Sequence, residues 1–330
     1  MEEGRSDFFL YAIALFVVFI IGEALYDGYR KQKNRTAGQY HRTDTWVNIF
    51  SGLGSFGAGK LNLLYQVVLF ELLFQLSPLR VPYSWPWWLL CLVMVDFCHY
   101  WAHRFGHEAN LGWAAHVTHH SSTHFNLSTA VRQSWTQHLT LFVFFLPIPL
   151  LGFPLEMLLV MKGVNGIGQF WIHTQNIGRI PKPISFVFNT PSHHRVHHAS
   201  NPVYLDKNYG GVFIIWDRIF GTFQPELPEE PVEYGLTENI RTHNILRVQF
   251  HVWGEIFRSL FRAQSIKEVG RILFAAPGEQ KARTEKAGLI APAVPRKESP
   301  IHHQGKNVLK ETSLPGGITT ESIQSSSSRS

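Results

Sequence analysis

Charged residues are scarce in this chain: Asp, Glu, Lys and Arg together make up 16% of its 330 residues. Basic residues outnumber acidic ones, for a formal net charge of +6, but they form no long run interleaved with aromatics. Nucleic acid is therefore excluded as a partner. Aromatic residues are abundant at 14%, with ten tryptophans. Low charge combined with high aromatic content predicts a protein in contact with a membrane.

Cysteine is nearly absent as well, with Cys91 and Cys98 as its two representatives. They lie seven residues apart in one apolar segment. A helix separates such positions by about 10 Å, which is too far for a disulfide. The chain therefore has no disulfide framework and no zinc site of the cysteine type. We expect both thiols in the apolar core.

A nucleotide-binding motif is also missing, although two glycine-rich patterns resemble one. "GLGSFG" at 52–57 matches G-x-G-x-x-G, and "GSFGAGK" at 54–60 nearly matches a P-loop. Leu61 stands where the P-loop has a hydroxyl, and no strand precedes either pattern. We interpret these glycines as loosening the start of a membrane helix.

What the chain does contain is long apolar runs. They predict an all-α, multi-pass integral membrane protein whose spans are separated by polar or aromatic turns. A basic loop, with five Lys/Arg between 30 and 42, favours the cytoplasmic side and sets the orientation. The predicted spans are 8–26, 58–77, 85–102 and a proline-broken helical hairpin at 138–174.

Composition divides the chain into three parts. Residues 1–84 form an N-terminal transmembrane hairpin region, and residues 85–275 form a membrane-embedded core. Residues 280–330, which include "SIQSSSSRS", are too polar to bury a core, so we expect a disordered tail. The span count places the histidine-rich segments of the core on the cytosolic face.

Histidine is concentrated in that core. Thirteen of the 18 histidines lie between positions 99 and 198. Their spacing repeats: His99, His103 and His107 at the end of the third span are spaced i, i+4, i+8, and H-x-x-H-H occurs twice. Such spacings put imidazoles on one helix face. The eight predicted metal ligands are His103, His107, His116, His119, His120, His194, His197 and His198.

Eight imidazoles exceed what one tetrahedral zinc ion can use. They suit two metal ions with four or five ligands each. A nitrogen-rich site without thiolates favours iron, with zinc as a structural alternative. The remaining interpretation is a set of solvated polar faces without metal. The sequence thus predicts a cytosol-facing, histidine-rich di-metal site.

Several other residues are candidates for the same site. His173, in "QFWIHTQN", is predicted as a further ligand. Asp96 and Glu108 are placed to accept a hydrogen bond from a metal-bound histidine, and Glu108 could also ligate a metal directly. The sequence leaves open whether His99 and His193 bind metal. His124 and His138 are expected to be structural or to support a ligand.

These residues carry a resemblance to a known family. The chain resembles the fatty acid hydroxylase/sterol desaturase superfamily over roughly residues 10–275. Within it, "HHSS", "NLSTAVRQS" and "WIHT" are similar to the alkylglycerol monooxygenase branch. The segments that carry the resemblance are "DFCHYWAHRFGHE" (96–108), "WAAHVTHHSSTHFNLSTAVRQS" (113–134), "FWIHT" (170–174) and "NTPSHHRVHHASN" (189–201).

The resemblance implies a membrane-embedded di-iron enzyme that uses O₂, with the eight histidines above as ligands and Glu108 as a catalytic residue. It further implies hydroxylation of the carbon next to the ether oxygen of an alkylglycerol, with tetrahydrobiopterin or another external electron donor as reductant. The expected partners are a lipid substrate and the membrane. The expected location is the endoplasmic reticulum membrane in a eukaryote or the inner membrane in a bacterium. The alternatives are a hydroxylase or desaturase of another lipid, such as a sterol or an acyl chain, and a non-catalytic membrane metal-binding protein.

Overall fold

Helices form all the regular secondary structure in residues 3–33 and 39–279, the part of the chain that this computed structural model describes. The predicted all-α class is confirmed. Two short 3₁₀ helices, Leu127–Val131 and Phe142–Phe145, connect longer elements. The α-helices are α1 (Glu3–Gln32), α2 (Arg42–Leu76), α3 (Trp85–Glu108), α4 (Asn110–Ala114), α5 (Val117–His120), α6 (Gln137–Thr140), α7 (Pro147–Leu150), α8 (Leu155–Phe170), α9 (Lys182–Val187), α10 (Pro191–His197), α11 (Ile215–Phe220), α12 (Ile245–Leu260) and α13 (Ile266–Phe274).

Helix α2 is the candidate membrane span. Among the described residues it alone is both long and apolar enough to cross a bilayer by length and composition. It covers the predicted span 58–77 except for its last residue and begins sixteen residues earlier, at Arg42. The glycine-rich patterns therefore lie inside a helix and form no phosphate loop. Gly54 allows a close approach, because a Cβ there would lie 2.2 Å from the indole of Trp135.

Helices α1 and α3 cover the other two predicted spans, 8–26 and 85–102. Neither meets the same criterion of length and composition, so the number of membrane passes stays a prediction. α3 continues without a break through Glu108. The first pair of predicted ligands therefore stands on a rigid extension of the third apolar segment.

The proline-broken segment 138–174 folds as short helical pieces followed by α8. α6, a 3₁₀ helix and α7 run into a turn at Gly152, which has a φ of +84°. A Cβ at Gly152 would lie 2.7 Å from the backbone oxygen of Leu79, so this turn requires glycine. The backbone N–H of Val81 donates to Gly152 O at 2.9 Å. This contact joins the hairpin to the turn between α2 and α3.

An apolar core holds α3 in place between α2, α7 and α8. Phe70, Val95, Ile148 and Met157 are at most 1% exposed within it. The expectation for the two cysteines is confirmed, because both are free thiols buried in this core. Packing on all sides gives the C-terminal end of α3 a defined position, which the ligand-bearing turns of that helix need.

A buried ion pair ties α2 to the segment after α5. Arg132 is 2% exposed, and its Nη1 lies 3.3 Å from Asp44 and 2.8 Å from the Asn48 amide oxygen. Its Nε donates to the backbone oxygen of Thr118 at 2.9 Å. Removing either charge would leave the other buried and unpaired, which is strongly destabilising. The pair therefore fixes the position of the second histidine set. The predicted polar tail, residues 280–330, lies outside the described residues.

Candidate metal centre

Four separate segments bring imidazoles to one buried place. α3 contributes two near its C-terminal end, α5 and the residue before it contribute three, the turn after α8 contributes one, and α10 with its C-cap contributes three. α10 begins at Pro191, directly after the N-cap residue Thr190, and the fixed φ of proline favours helix initiation there. All nine side chains are buried: His103, His107, His116, His119, His120, His173, His194, His197 and His198.

The nine imidazoles form two groups. Within each group, one nitrogen from each ring lies within 4.8 Å of the corresponding nitrogen of every other ring. The five-histidine group is His103, His107, His116, His120 and His197. The four-histidine group is His119, His173, His194 and His198.

Each H-x-x-H-H motif is divided between the two groups. In the first motif the i, i+4 pair, His116 and His120, belongs to the five-histidine group, and His119 belongs to the other. In the second motif the i, i+4 pair, His194 and His198, belongs to the four-histidine group. The i, i+4 pairs of the two motifs thus belong to different groups, and each group contains histidines from both motifs.

Backbone carbonyls determine which nitrogen of several rings carries the proton. Nδ1 of His103 lies 2.8 Å from Tyr209 O, and Nδ1 of His197 lies 2.9 Å from Lys207 O. A carbonyl oxygen only accepts, so Nδ1 is the donor in both rings. The remaining nitrogen, Nε2, then has a free lone pair when the ring is neutral. This is the usual arrangement of a metal-binding histidine, whose second nitrogen donates to an acceptor outside the site.

The contact between His119 and His173 shows the same feature most clearly. Nδ1 of His119 donates to Arg132 O at 3.2 Å, and Nδ1 of His173 donates to Gln169 O at 2.8 Å. Their Nε2 atoms lie 3.2 Å apart. Two neutral rings held in these tautomers turn lone pairs toward each other and cannot form a hydrogen bond. A cation between or beside them removes this repulsion, so the geometry fits a metal ion.

Burial keeps these imidazoles neutral. Desolvation, reinforced by neighbouring histidines, holds the pKa of His116, His120 and His198 well below the ordinary 6.5. The rings of His120 and His198 stack with centroids 4.3 Å apart. Two charged rings would repel strongly at that distance in a buried site. Neutral imidazole is the form that binds metal, so the site is in its ligating state at neutral pH.

A cavity of about 570 Å³ adjoins both groups of histidines. His103 and His116 from one group, and His119, His173 and His194 from the other, form part of its wall. The rest of the lining is mainly apolar and comes from α1, α2, α8 and the segment 130–145. Apolar walls with a few polar groups are typical of a site for a lipid or another small molecule.

Comparison with known proteins finds a match to one family. Residues 88–222 match the model of the fatty acid hydroxylase family. The matched range contains all nine clustered histidines and much of the cavity wall. The predicted resemblance to this superfamily is confirmed.

Relatives with known names show the same relationship. Alkylglycerol monooxygenase from Danio rerio is 45% identical over 195 residues, which cover 59% of this chain and 43% of that protein. The Homo sapiens alkylglycerol monooxygenase is 42% identical over 234 residues, covering 70% of this chain and 52% of that protein. Ornithine lipid hydroxylase from Rhizobium tropici is 32% identical over 165 residues, or 48% of this chain and 49% of that protein. The chain thus spans about half the length of these relatives. No solved structure matches it at a significant level.

The fold brings all nine predicted histidines together but places Glu108 elsewhere. The side chain of Glu108 is 45% exposed, and its carboxylate accepts a hydrogen bond from Arg104 Nε at 2.8 Å. It belongs to neither histidine group. A catalytic role for Glu108 therefore stays a prediction, and its exposed position suits contact with a molecule that arrives from water.

Asp96 supports the site through the backbone and not through a histidine ring. Its carboxylate accepts hydrogen bonds from the backbone N–H of Val212 at 2.6 Å and of Phe213 at 3.0 Å. Asp217 accepts from the N–H of Tyr209 and of Gly210, each at 2.7 Å. These two buried carboxylates hold the loop whose Tyr209 carbonyl orients His103. The sequence predicts that Asp96 accepts from a histidine, but backbone carbonyls are the Nδ1 acceptors of His103, His119, His173 and His197.

The other histidines of the core lie outside both groups. His99 lines the cavity, with its ring centroid 5.2 Å from that of His103. His193 is buried against Phe223. His124 stacks on His41 near the protein surface. His138 packs near α2, where its Nε2 lies 3.2 Å from Ser55 Oγ.

Sequence reasoning missed two features of the site. Arg132 lies in the quoted "NLSTAVRQS" segment, yet its buried pairing with Asp44 depends on contacts 88 residues apart in sequence. Lys162 lines the cavity from α8, within the segment 138–174 that the sequence predicts to be an apolar hairpin. A single lysine inside an apolar run was the available signal for a functional group, because charges in such runs are costly.

Proposed function

We propose that this protein is a membrane mono-oxygenase that hydroxylates a lipid and thereby cleaves the ether bond of alkylglycerols. The observation that carries the proposal is the pair of buried histidine groups at the wall of a largely apolar cavity. Identity of 42–45% to the alkylglycerol monooxygenases reported above supports the choice of substrate class.

We further propose that each histidine group holds one iron ion. The donor set fits, because it consists of neutral imidazoles with no thiolate among them, as iron sites of this kind require. His107 and His197 in addition have a buried Nε2 without a hydrogen-bond partner. Iron bound there would supply the activation of O₂.

The reaction balances with O₂ and an external two-electron donor. One oxygen atom is inserted into a C–H bond of the carbon next to the ether oxygen. The other atom leaves as water, with two electrons and two protons from the donor. The product is a hemiacetal, which breaks its bond to the glycerol oxygen and releases an aldehyde and glycerol. We propose tetrahydrobiopterin as the electron donor.

The residues of the chain position the lipid and keep water away from it. Apolar side chains such as Phe16, Phe142 and Phe170 line the cavity and suit an alkyl chain. The cleavage itself needs no protein nucleophile, because the hemiacetal collapses unaided. Glu108 is proposed as the catalytic carboxylate of the water-facing side, where its exposed oxygen can contact the reductant.

We propose a multi-pass topology with the histidine groups on the cytosolic side. Exposed apolar side chains on α2, including Leu61 and Leu64, suit contact with lipid tails. Substrate would then enter the cavity laterally from the bilayer. The corresponding location is the endoplasmic reticulum membrane in a eukaryotic cell or the inner membrane in a bacterium.

The test is turnover by detergent-purified protein whose metal content has been measured. We expect about two irons per chain and, with O₂ and reduced pterin, release of hexadecanal from 1-O-hexadecylglycerol. Turnover of a sterol or a fatty acyl lipid in place of the ether would establish the alternative enzyme. Bound metal with no oxidation of any of these lipids would indicate a non-catalytic metal-binding protein.

A further inference from the structure

Lys162 is the one cationic side chain among the residues that line the cavity, and no carboxylate lies among them. It projects from α8, and its Nζ stands 4.2 Å from the centroid of the Phe145 ring. No described carboxylate lies within ion-pairing distance of it. A charge in an apolar enclosure is costly unless it has a partner. A cation–π contact with phenylalanine compensates only part of that cost.

The side-chain amides of Gln66, Gln133 and Gln137 in the cavity wall have protein partners. Gln137 Nε2 donates to Ser55 Oγ at 3.1 Å, and Gln66 Nε2 donates to His138 O at 2.7 Å. Gln133 Nε2 donates to Ala130 O at 2.9 Å. These amides already form hydrogen bonds within the cavity wall. Lys162 differs from these amides, because its Nζ has no hydrogen-bond acceptor among the described residues.

His99 provides a second group of this kind on the opposite helix. It lines the same cavity from α3, and its buried Nε2 has no hydrogen-bond partner. It lies one helical turn before His103, a rise of about 5.4–6 Å along α3. That distance is comparable with the length of an extended glycerol group. An ammonium and an imidazole thus face one compartment, about one headgroup away from the five-histidine group.

We propose that Lys162 is the positioning residue that binds the polar headgroup of the lipid, with His99 as its partner. The Lys162 ammonium donates to headgroup oxygens, which places the carbon next to the ether oxygen beside the histidine groups. The apolar remainder of the cavity receives the alkyl chain. This inference rests on the proposed function and names the group that selects its substrate.

Two sources of headgroup oxygen share this chemistry, the hydroxyls of glycerol and a phosphate ester. The experiment separates them by using 1-O-hexadecylglycerol and 1-O-hexadecylglycerol 3-phosphate as probes. The variants are Lys162→Met, which removes the donor, and Lys162→Arg, which keeps the charge. Lys182→Met, at an exposed lysine of α9, is the matched control.

The first readout is the dissociation constant of each probe, measured without O₂ so that no turnover occurs. Loss of a hydrogen bond to a charged group predicts that Lys162→Met weakens binding at least tenfold, with Lys162→Arg closer to wild type. KM should rise by a similar factor while kcat at saturation changes less. A loss with both probes identifies the hydroxyls, and a loss with the phosphate probe alone identifies the phosphate. Equal affinity of wild type and Lys162→Met for both probes would overturn the inference.

A measurement on the wild-type protein needs no variant. Hexadecyl methyl ether keeps the chain and the ether oxygen but lacks the headgroup hydroxyls. We expect it to bind at least tenfold more weakly than 1-O-hexadecylglycerol, and equal binding would contradict the inference. Failure of the proposed function is a different result: iron-loaded wild-type protein would then bind neither probe and oxidise neither.

Discussion

Asp96→Asn is the substitution whose effect follows most directly from the structure. One carboxylate oxygen of Asp96 accepts from Val212 N at 2.6 Å and from Asn165 Nδ2 at 2.5 Å. The other accepts from Phe213 N at 3.0 Å and from Trp216 Nε1 at 2.9 Å. An asparagine amide has one acceptor and one donor. In either orientation of the asparagine amide, two of the four donors face its NH₂ group and lose their acceptor.

The magnitude comes from those two lost hydrogen bonds. A buried donor left without an acceptor costs about 1–3 kcal/mol, so two cost about 2–6 kcal/mol of folding free energy. The loop from Tyr209 to Phe213 would loosen, and with it the Tyr209 carbonyl that orients His103. Changing such a supporting contact typically lowers metal affinity 10–100-fold. We therefore expect a lower melting temperature together with lower iron content.

The assay is iron per chain and the thermal unfolding midpoint in the same detergent, for wild type and Asp96→Asn. Glu229→Gln is the matched control, since Glu229 is an exposed carboxylate outside both histidine groups. The control should retain wild-type values. Wild-type iron content and melting temperature in Asp96→Asn would refute the idea that this carboxylate holds the loop and the ligand.

Three further predictions concern the histidines and Glu108. His119→Ala should reduce iron from about two to about one per chain and abolish turnover while the protein stays in the membrane, whereas His124→Ala, outside both groups, should keep both irons. Glu108→Gln should lower alkylglycerol turnover at least tenfold, about 1.4 kcal/mol of barrier, at wild-type iron content; unchanged turnover would make Glu108 a surface partner of Arg104. Burial lowers the pKa of His198 and its neighbours, so below pH 6.5 the unfolded chain binds more protons than the folded one, and the melting temperature of metal-free protein should fall from pH 7.5 to 5.5; a flat profile would contradict this.

The histidine set could be predicted from the sequence, because metal ligands on a helix recur at i, i+3 and i+4, a spacing that packing alone does not require. The division of each H-x-x-H-H motif between two groups could not be predicted from the sequence. It depends on how α5 and α10 face each other, and they are separated by some 70 residues of sequence. The sequence predicts His173 as a ligand but does not predict its neighbour in the site, because His119 lies 54 positions away.

The membrane segments show a different limit. The sequence predicts a start of this span at residue 58, after glycines at 52–59 that favour a loosened helix end, whereas α2 begins at Arg42. In the structure they lie mid-helix, where Val131, Trp135 and His138 approach the backbone closely. Tertiary packing here outweighs the low helix propensity of glycine. The role of Asp96 was likewise misplaced, because a position on a helix face does not show which loop will fold over it.

Labelled oxygen tests the central claim most directly. Iron-loaded protein would be given 1-O-hexadecylglycerol, a reduced pterin and ¹⁸O₂, with borohydride present to trap the aldehyde as hexadecanol before it exchanges oxygen with water. Hydroxylation next to the ether oxygen predicts hexadecanol that carries one ¹⁸O and unlabelled glycerol in equal amount. Hexadecanol without ¹⁸O, or no cleavage by protein that holds two irons, would contradict the account.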